Sequence, residues 1–346
     1  MAMMRSAPAE RGTTTVTGGT GWRGGRVALS ALIWTTSYSA LRVYWQVTGE
    51  PGEMSPIGDD LVAFTGWGAV ILCGLAAITA GGLAWAGRAC SGITGPVRRM
   101  LLAAGWTTSL GLVASGAMLL LDIVGGVLPG LGVEFYPRGA LSRVTCVGGG
   151  AMLAVATWSL QGRTGARCRD CGRSWAAMRA LPRTPRWAFG MAYVAVLGFL
   201  VRLVAQLVVG LNESPLTTGM SLLLFEFGFV LAGTLLPLAL VHRWGRIWPR
   251  WAVGLAGRRV PRWLVLGPAA GIAGGLVIYF GLLLGQMTVA RLNGRNPFPP
   301  SGGLDLPEAF FWFAVPAYLV WGIGVAAAAL AYFRRTRRPC PTCTSP

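Results

Sequence analysis

The chain has 346 residues, 53% of them hydrophobic and only 12% charged, with a mean hydropathy of +0.56. An ordinary soluble domain carries about 25% charged residues, so the composition excludes a water-soluble globular fold and points to lipid. The net charge of +18 comes from 30 basic residues, every one of them Arg, and their positions decide what that charge means.

Residues 1–26 are polar and rich in Thr and Gly, which predicts a disordered N-terminal segment. No small-residue cleavage site follows the first apolar run, so a cleaved signal peptide is not expected. A spanning helix needs about 20 mostly apolar residues. Eight candidates follow in chain order, at 27–47, 61–86, 100–121, 141–160, 187–211, 220–241, 263–289 and 310–333. They are apolar all round instead of striped, which separates them from the helices of a soluble protein. The fold class expected is all-α, a polytopic transmembrane bundle of eight helices.

Between these spans the arginines alternate. The N-terminal segment, residues 87–99, 162–186 and 242–262, and the C-terminal tail hold 24 of the 30. The other loops hold Arg138, Arg143, Arg291 and Arg295 against eight acids, Glu50, Glu53, Asp59, Asp60, Glu134, Glu213, Asp305 and Glu308. Loops rich in Arg stay in the cytoplasm, so both termini are expected there, in a multi-pass protein of the cell membrane. Basic loops attract anionic headgroups at roughly 1 kcal/mol per Arg near the surface. The partner implied is therefore the bilayer's anionic cytoplasmic face, and nucleic acid is not needed to explain the charge.

The chain also resembles itself. A shift of 160 lays Arg42 on Arg202 and Gly68 on Gly228, and a shift of 163 lays Arg99 on Arg262. A shift of 172 carries Arg163-Thr164, Cys168 and Cys171 onto Arg335-Thr336, Cys340 and Cys343. The predicted organisation is a first four-helix repeat over 27–161, an Arg/Cys linker over 162–186, a second repeat over 187–333 and a tail over 334–346. An even number of spans per unit makes the repeats parallel, related by an axis along the membrane normal. Gly267, Gly271 and Gly275, and Gly148 to Gly150, predict faces where helices approach closely.

Cys168, Cys171, Cys340 and Cys343 form two C-x-x-C pairs that look like zinc-ribbon knuckles. Two such turns supply the four thiolates of one structural zinc, and parallel repeats place both on the cytoplasmic side. A redox dithiol and plain unliganded cysteine are the competing readings. Cys73, Cys90 and Cys146 are isolated and read as packing residues.

Charges inside a span are costly and mark a function or a partner. Arg42 and Arg202 sit in the outer halves of the first and fifth spans. At 1.5 Å per residue, Arg202 lies about 13 Å and Glu226 about 9 Å from the ends of their spans, so an Arg202–Glu226 salt bridge is expected. Arg42 then needs Asp122, Asp59 or Asp60. The functional alternative is an outward cavity in which Arg42, Arg202 and Glu226 bind an anionic ligand or headgroup. His242 reads as a helix-terminal cation. Ser115-Gly116 resembles the serine of intramembrane rhomboid proteases, but that chemistry needs a His within the bundle. An enzyme is the reading with least support.

Ala40-Leu41-Arg42-Val43-Tyr44-Trp45 resembles a motif of small four-helix membrane proteins common in actinobacteria, a family with no known activity. The resemblance implies two such units fused in tandem. The function expected is non-enzymatic transport, or ligand or lipid binding, at the seam between the repeats. A membrane scaffold or sensor with a cytoplasmic zinc clasp is the alternative, and a membrane thiol oxidoreductase the second alternative.

Overall fold

The computed structural model describes residues 21–49, 51–52, 54–55, 66–88, 95–161, 183–210, 219–248, 250, 254–298 and 306–337. Among them the regular structure is helical, with one isolated antiparallel bridge between Ile247 and Arg259. Eight long helical rods follow one another: α1 (Gly21–Thr48), α2 (Gly66–Arg88), α3 (Gly95–Ser115) continued by α4 (Leu119–Val127), and α5 (Pro137–Gln161). The second half holds α6 (Arg186–Val209), α7 (Met220–Val230) continued by α8 (Leu236–Val241), α9 (Arg262–Leu292) and α10 (Glu308–Arg335). All eight predicted spans fall on these rods, with ends moved by up to six residues.

Seven rods are long and apolar enough to cross a membrane; α1 has the length but is more polar. The reason lies in which face it buries. Ala28, Ala31, Thr35, Tyr38 and Arg42 recur at helical spacing and are all buried, while Leu29, Ile33, Val43, Tyr44 and Val47 are exposed. The buried face thus carries Thr35, Tyr38 and Arg42 beside two alanines, and the exposed face is largely apolar with Arg26, Thr36 and Ser37 among it. Large exposed apolar side chains elsewhere, such as Ile78, Leu110, Trp158 and Leu223, extend the same coat over both halves.

Two rods are interrupted, each for a local reason. Between α3 and α4 the chain tightens, with Gly116, Ala117 and Leu119 donating to carbonyls three residues back. Between α7 and α8, Leu231–Leu235 form a π-helical turn just before Pro237. Proline has no N–H for the carbonyl four residues earlier, and the ladder widens there. The turn presents Gly233 to the Phe199 ring.

Each half has its own core. Ala31, Ala69, Cys73, Ala80, Leu112, Cys146 and Leu153 belong to the first, and Ala192, Phe199, Leu240, Ala269, Trp321 and Tyr332 to the second. Helix pairings differ between the halves: α1 lies chiefly along α2, whereas α6 lies chiefly along α10. The seam is thin. Among the described residues it includes α4 against α9, where Leu120 meets Gly275, and Ser221 Oγ donating to Pro129 O at 2.7 Å.

The glycine expectation is met in one helix and corrected in another. Gly150 abuts Ser109 O and Val113, so α5 and α3 do touch there. A side chain at Gly267 or Gly271 would meet nothing within 4 Å, and of that row only Gly275 is in contact. The α6–α10 approach uses Gly198 and Gly324, where a Cβ would run into Ala317 O and Met191 O.

Candidate functional site

Arg42 emerges from α1 one turn after Tyr38, fully buried against α5. Its Nε donates to Tyr38 Oη at 3.0 Å and its Nη2 to Ser142 Oγ at 3.2 Å. Tyr38 Oη and Ser142 Oγ are themselves 2.6 Å apart, and Cys146 Sγ lies 3.8 Å from the same phenol oxygen. The guanidinium also sits over the Tyr38 and Trp45 rings, 5.5 and 5.3 Å from their centroids. Polar groups this deep need partners, and Arg42 finds hydroxyls and rings.

Asp122 is not among those partners. It lies in the first turn of α4, 1% exposed, and receives Arg143 Nη1 at 2.9 Å on both carboxylate oxygens. Arg143, expected in an outer loop, is inside α5 and 4% exposed. The two charges lie against each other because a lone buried charge is far more costly than a buried ion pair. Asp59 and Asp60, the other candidate partners, lie outside the described residues.

Arg202 likewise turns to the last helix of its half. Its Nε donates to Tyr318 Oη at 2.9 Å and its Nη2 to Gln206 Oε1 at 2.9 Å. The Phe310 and Tyr318 rings cover it at 5.3 Å each. The expected salt bridge to Glu226 is not formed. Glu226 instead faces outward from α7, a segment with no buried residue, beside the exposed Leu223 and Phe227. Arg42, Arg202 and Glu226 therefore do not share one site.

Of the remaining sequence candidates, Ser115 Oγ donates to Gly111 O in its own helix. His242 closes α8 and packs edge-on against Phe189. The four zinc candidates Cys168, Cys171, Cys340 and Cys343 lie outside the described residues. Among the described residues no group of three or more His, Cys, Asp or Glu could hold a metal.

A second charged assembly lies where α8 ends, α9 begins and α10 ends. The chain between α8 and α9 folds back on itself: Val260 N donates to Arg246 O at 2.9 Å and Trp248 N to Arg258 O at 3.0 Å, around the Ile247–Arg259 bridge. Gly257, at φ +75°, sits in a backbone region that L side chains rarely adopt, and it lets the return strand turn. Tyr332 Oη anchors this loop to α10 by donating to Gly245 O at 2.9 Å. Arg335 Nη2 and Nη1 cap the last carbonyls of α8, Leu240 O at 3.1 Å and Val241 O at 3.4 Å. A cation is well placed at a helix C-terminus.

These connections surround a cavity of about 410 Å³ lined by Arg246, Arg259, Arg262, Arg335 and Arg337, with Tyr332 and Thr336. No Asp or Glu occurs from residue 227 to 304, or anywhere after Glu308, so these elements bring no carboxylate to the cavity. In the sequence these arginines are topological signals. Nothing in their spacing shows that residues 246, 259 and 335 converge; the only hint is the missing acid over so long a stretch. The chain matches no protein-family model, no curated protein and no solved structure.

Proposed function

We propose that this is an eight-span protein of the cell membrane, with both termini cytoplasmic, that binds an anionic ligand in the arginine-lined cavity beside the end of α10. The observation that carries the reading is five guanidinium groups around one cavity without a single carboxylate on the surrounding elements. The volume lies within the range of small-ligand sites, roughly 300–1,000 Å³. By the distribution of Arg between loops, that cavity faces the cytoplasm. Its natural partner is an anionic group at the inner leaflet, and the role is binding, not catalysis.

This reading moves the site away from the seam between halves. Arg42 and Arg202 already have hydroxyl, amide and ring partners within their own halves, which favours a structural role for both. The test is lipid binding by purified protein in detergent, read by native mass spectrometry. Anionic lipid should bind in preference to zwitterionic lipid of the same chains, and Arg246→Gln with Arg259→Gln should remove most of that preference. Equal binding of both lipids to the intact protein would overturn the proposal.

The two halves further support a duplication, each arginine of the first helix donating to a hydroxyl on the last helix of its half. We also propose a zinc clasp of Cys168, Cys171, Cys340 and Cys343, which rests on sequence alone. Purified protein should contain about one equivalent of zinc, lost in Cys168→Ser; metal-free intact protein would rule the clasp out.

A further inference from the structure

We infer that the arginine-lined cavity recognises a terminal phosphoryl group carried by a lipid, a phosphomonoester or diphosphate headgroup in preference to a phosphodiester. The inference rests on the anion-binding reading above and specifies its ligand. Of the five guanidinium groups, Arg335 is committed to the Leu240 and Val241 carbonyls. Arg246, Arg259 and Arg262 line the same cavity and, among the described residues, show no side-chain hydrogen bond or ion pair, Arg262 lying over the Trp263 ring at 5.2 Å. Arg262 is also the first residue of the 31-residue α9, so the positive end of that helix adds to the local field.

Three guanidinium forks without an acceptor among the described residues ask for three acceptor edges. Arginine pairs with phosphate through two parallel N–H bonds, each fork spanning one oxygen–phosphorus–oxygen edge. A phosphodiester has two non-bridging oxygens and offers one such edge. A terminal phosphate has three oxygens and offers three edges, with a charge near −2 at pH 7. Arg335 Nε is buried and has no acceptor among the described residues, so the cavity holds more donor capacity than a single-edged anion can satisfy.

The surroundings favour a lipid over a free phosphate as the source. A cavity of about 410 Å³ takes a headgroup and not acyl chains. The exposed Ile247 lines it, Trp263, 61% exposed, lies under the lining Arg262, and the exposed Trp244 and Leu264 are close to these residues in the chain. Tryptophan at this position is the usual marker of the membrane interface, and these side chains provide an apolar border along which chains can leave the site.

The experiment uses the full chain in zwitterionic nanodiscs. Phosphatidic acid, phosphatidylglycerol of the same acyl chains and inorganic pyrophosphate are titrated separately. Phosphatidic acid should bind about tenfold or more tighter than phosphatidylglycerol, as expected where added charge-assisted forks are engaged. Arg246→Lys with Arg259→Lys should erase the difference between the two lipids, because an ammonium keeps the charge but loses the fork. Both positions are exposed on a loop, so unfolding should stay unchanged, and a thermal melt checks this. Equal affinity for the two lipids overturns the phosphoryl specificity while leaving anion binding intact. Pyrophosphate binding as tightly as phosphatidic acid overturns the lipid source. Failure of every anion to bind removes this inference together with the reading beneath it.

Discussion

A guanidinium group inside a helical bundle must find acceptors for its donors, and three arginines here solve that problem in different ways. Arg42 uses a phenol, a serine and two ring faces; Arg202 uses a phenol, an amide and two ring faces; Arg143 uses the Asp122 carboxylate. The third solution is the most sensitive to mutation, because removing one member leaves the other charged and buried. Asp122→Leu should cost about 3–5 kcal/mol and lower the thermal midpoint of the purified protein by many degrees. Adding Arg143→Met to that variant should restore most of the loss, since two apolar side chains can replace a buried ion pair at little cost. A double variant as unstable as the single one would show that Arg143 has a further role.

At the scale of helices, contact is decided by where small residues fall against a neighbour and not by how many occur in a row. Gly324 in α10 faces Met191 O and Ala195 of α6 at distances that leave no room for a side chain. Gly271 in α9, part of a regular four-residue series, has open space around it. Gly324→Leu should therefore separate α6 from α10, with an overpacking cost of about 1–3 kcal/mol or more. Gly271→Leu should leave the melting curve where it is. Equal losses from the two substitutions would mean that α9 is covered by something further. The π-helical turn at Leu231–Leu235 belongs to this scale too: Pro237 disrupts the ladder, and the widened turn lets the Phe199 ring lie against Gly233.

Among the described residues the molecule is two sets of four rods with separate cores, which meet where α4 lies against α9 and where Ser221 donates to Pro129 O. Its topology turns on α1. If α1 crosses the bilayer, its buried polar stripe and exposed apolar flank are explained together, and both termini share one side. Reporter fusions at the N-terminus and the C-terminus should both report the cytoplasm, and one inserted at Gly52 should report the outside. Termini on opposite sides would mean seven crossings, with α1 left at the surface. The count matters for function, because the sidedness of the arginine cavity follows from it.

Much of this architecture could be read along the chain. Hydropathy, summed over about 20 consecutive residues, marked the rods, since the cost of exposing polar groups to lipid acts on each segment alone. It also marked Arg42 and Arg202 as residues that need partners. The choice of partner was not legible. Arg202 and Glu226 lie on consecutive helices at similar depth, yet α6 packs chiefly on α10 and offers Arg202 to Tyr318. The same limit hid the arginine cavity, whose lining comes from the ends of α9 and α10 and a folded-back loop between α8 and α9. In the sequence these arginines signal only sidedness, because like charges separated by tens of residues carry no mark of convergence. Chain composition determined that the protein is built of membrane helices; tertiary packing decided which polar groups meet, because that depends on the helix ends and faces brought together from distant parts of the chain.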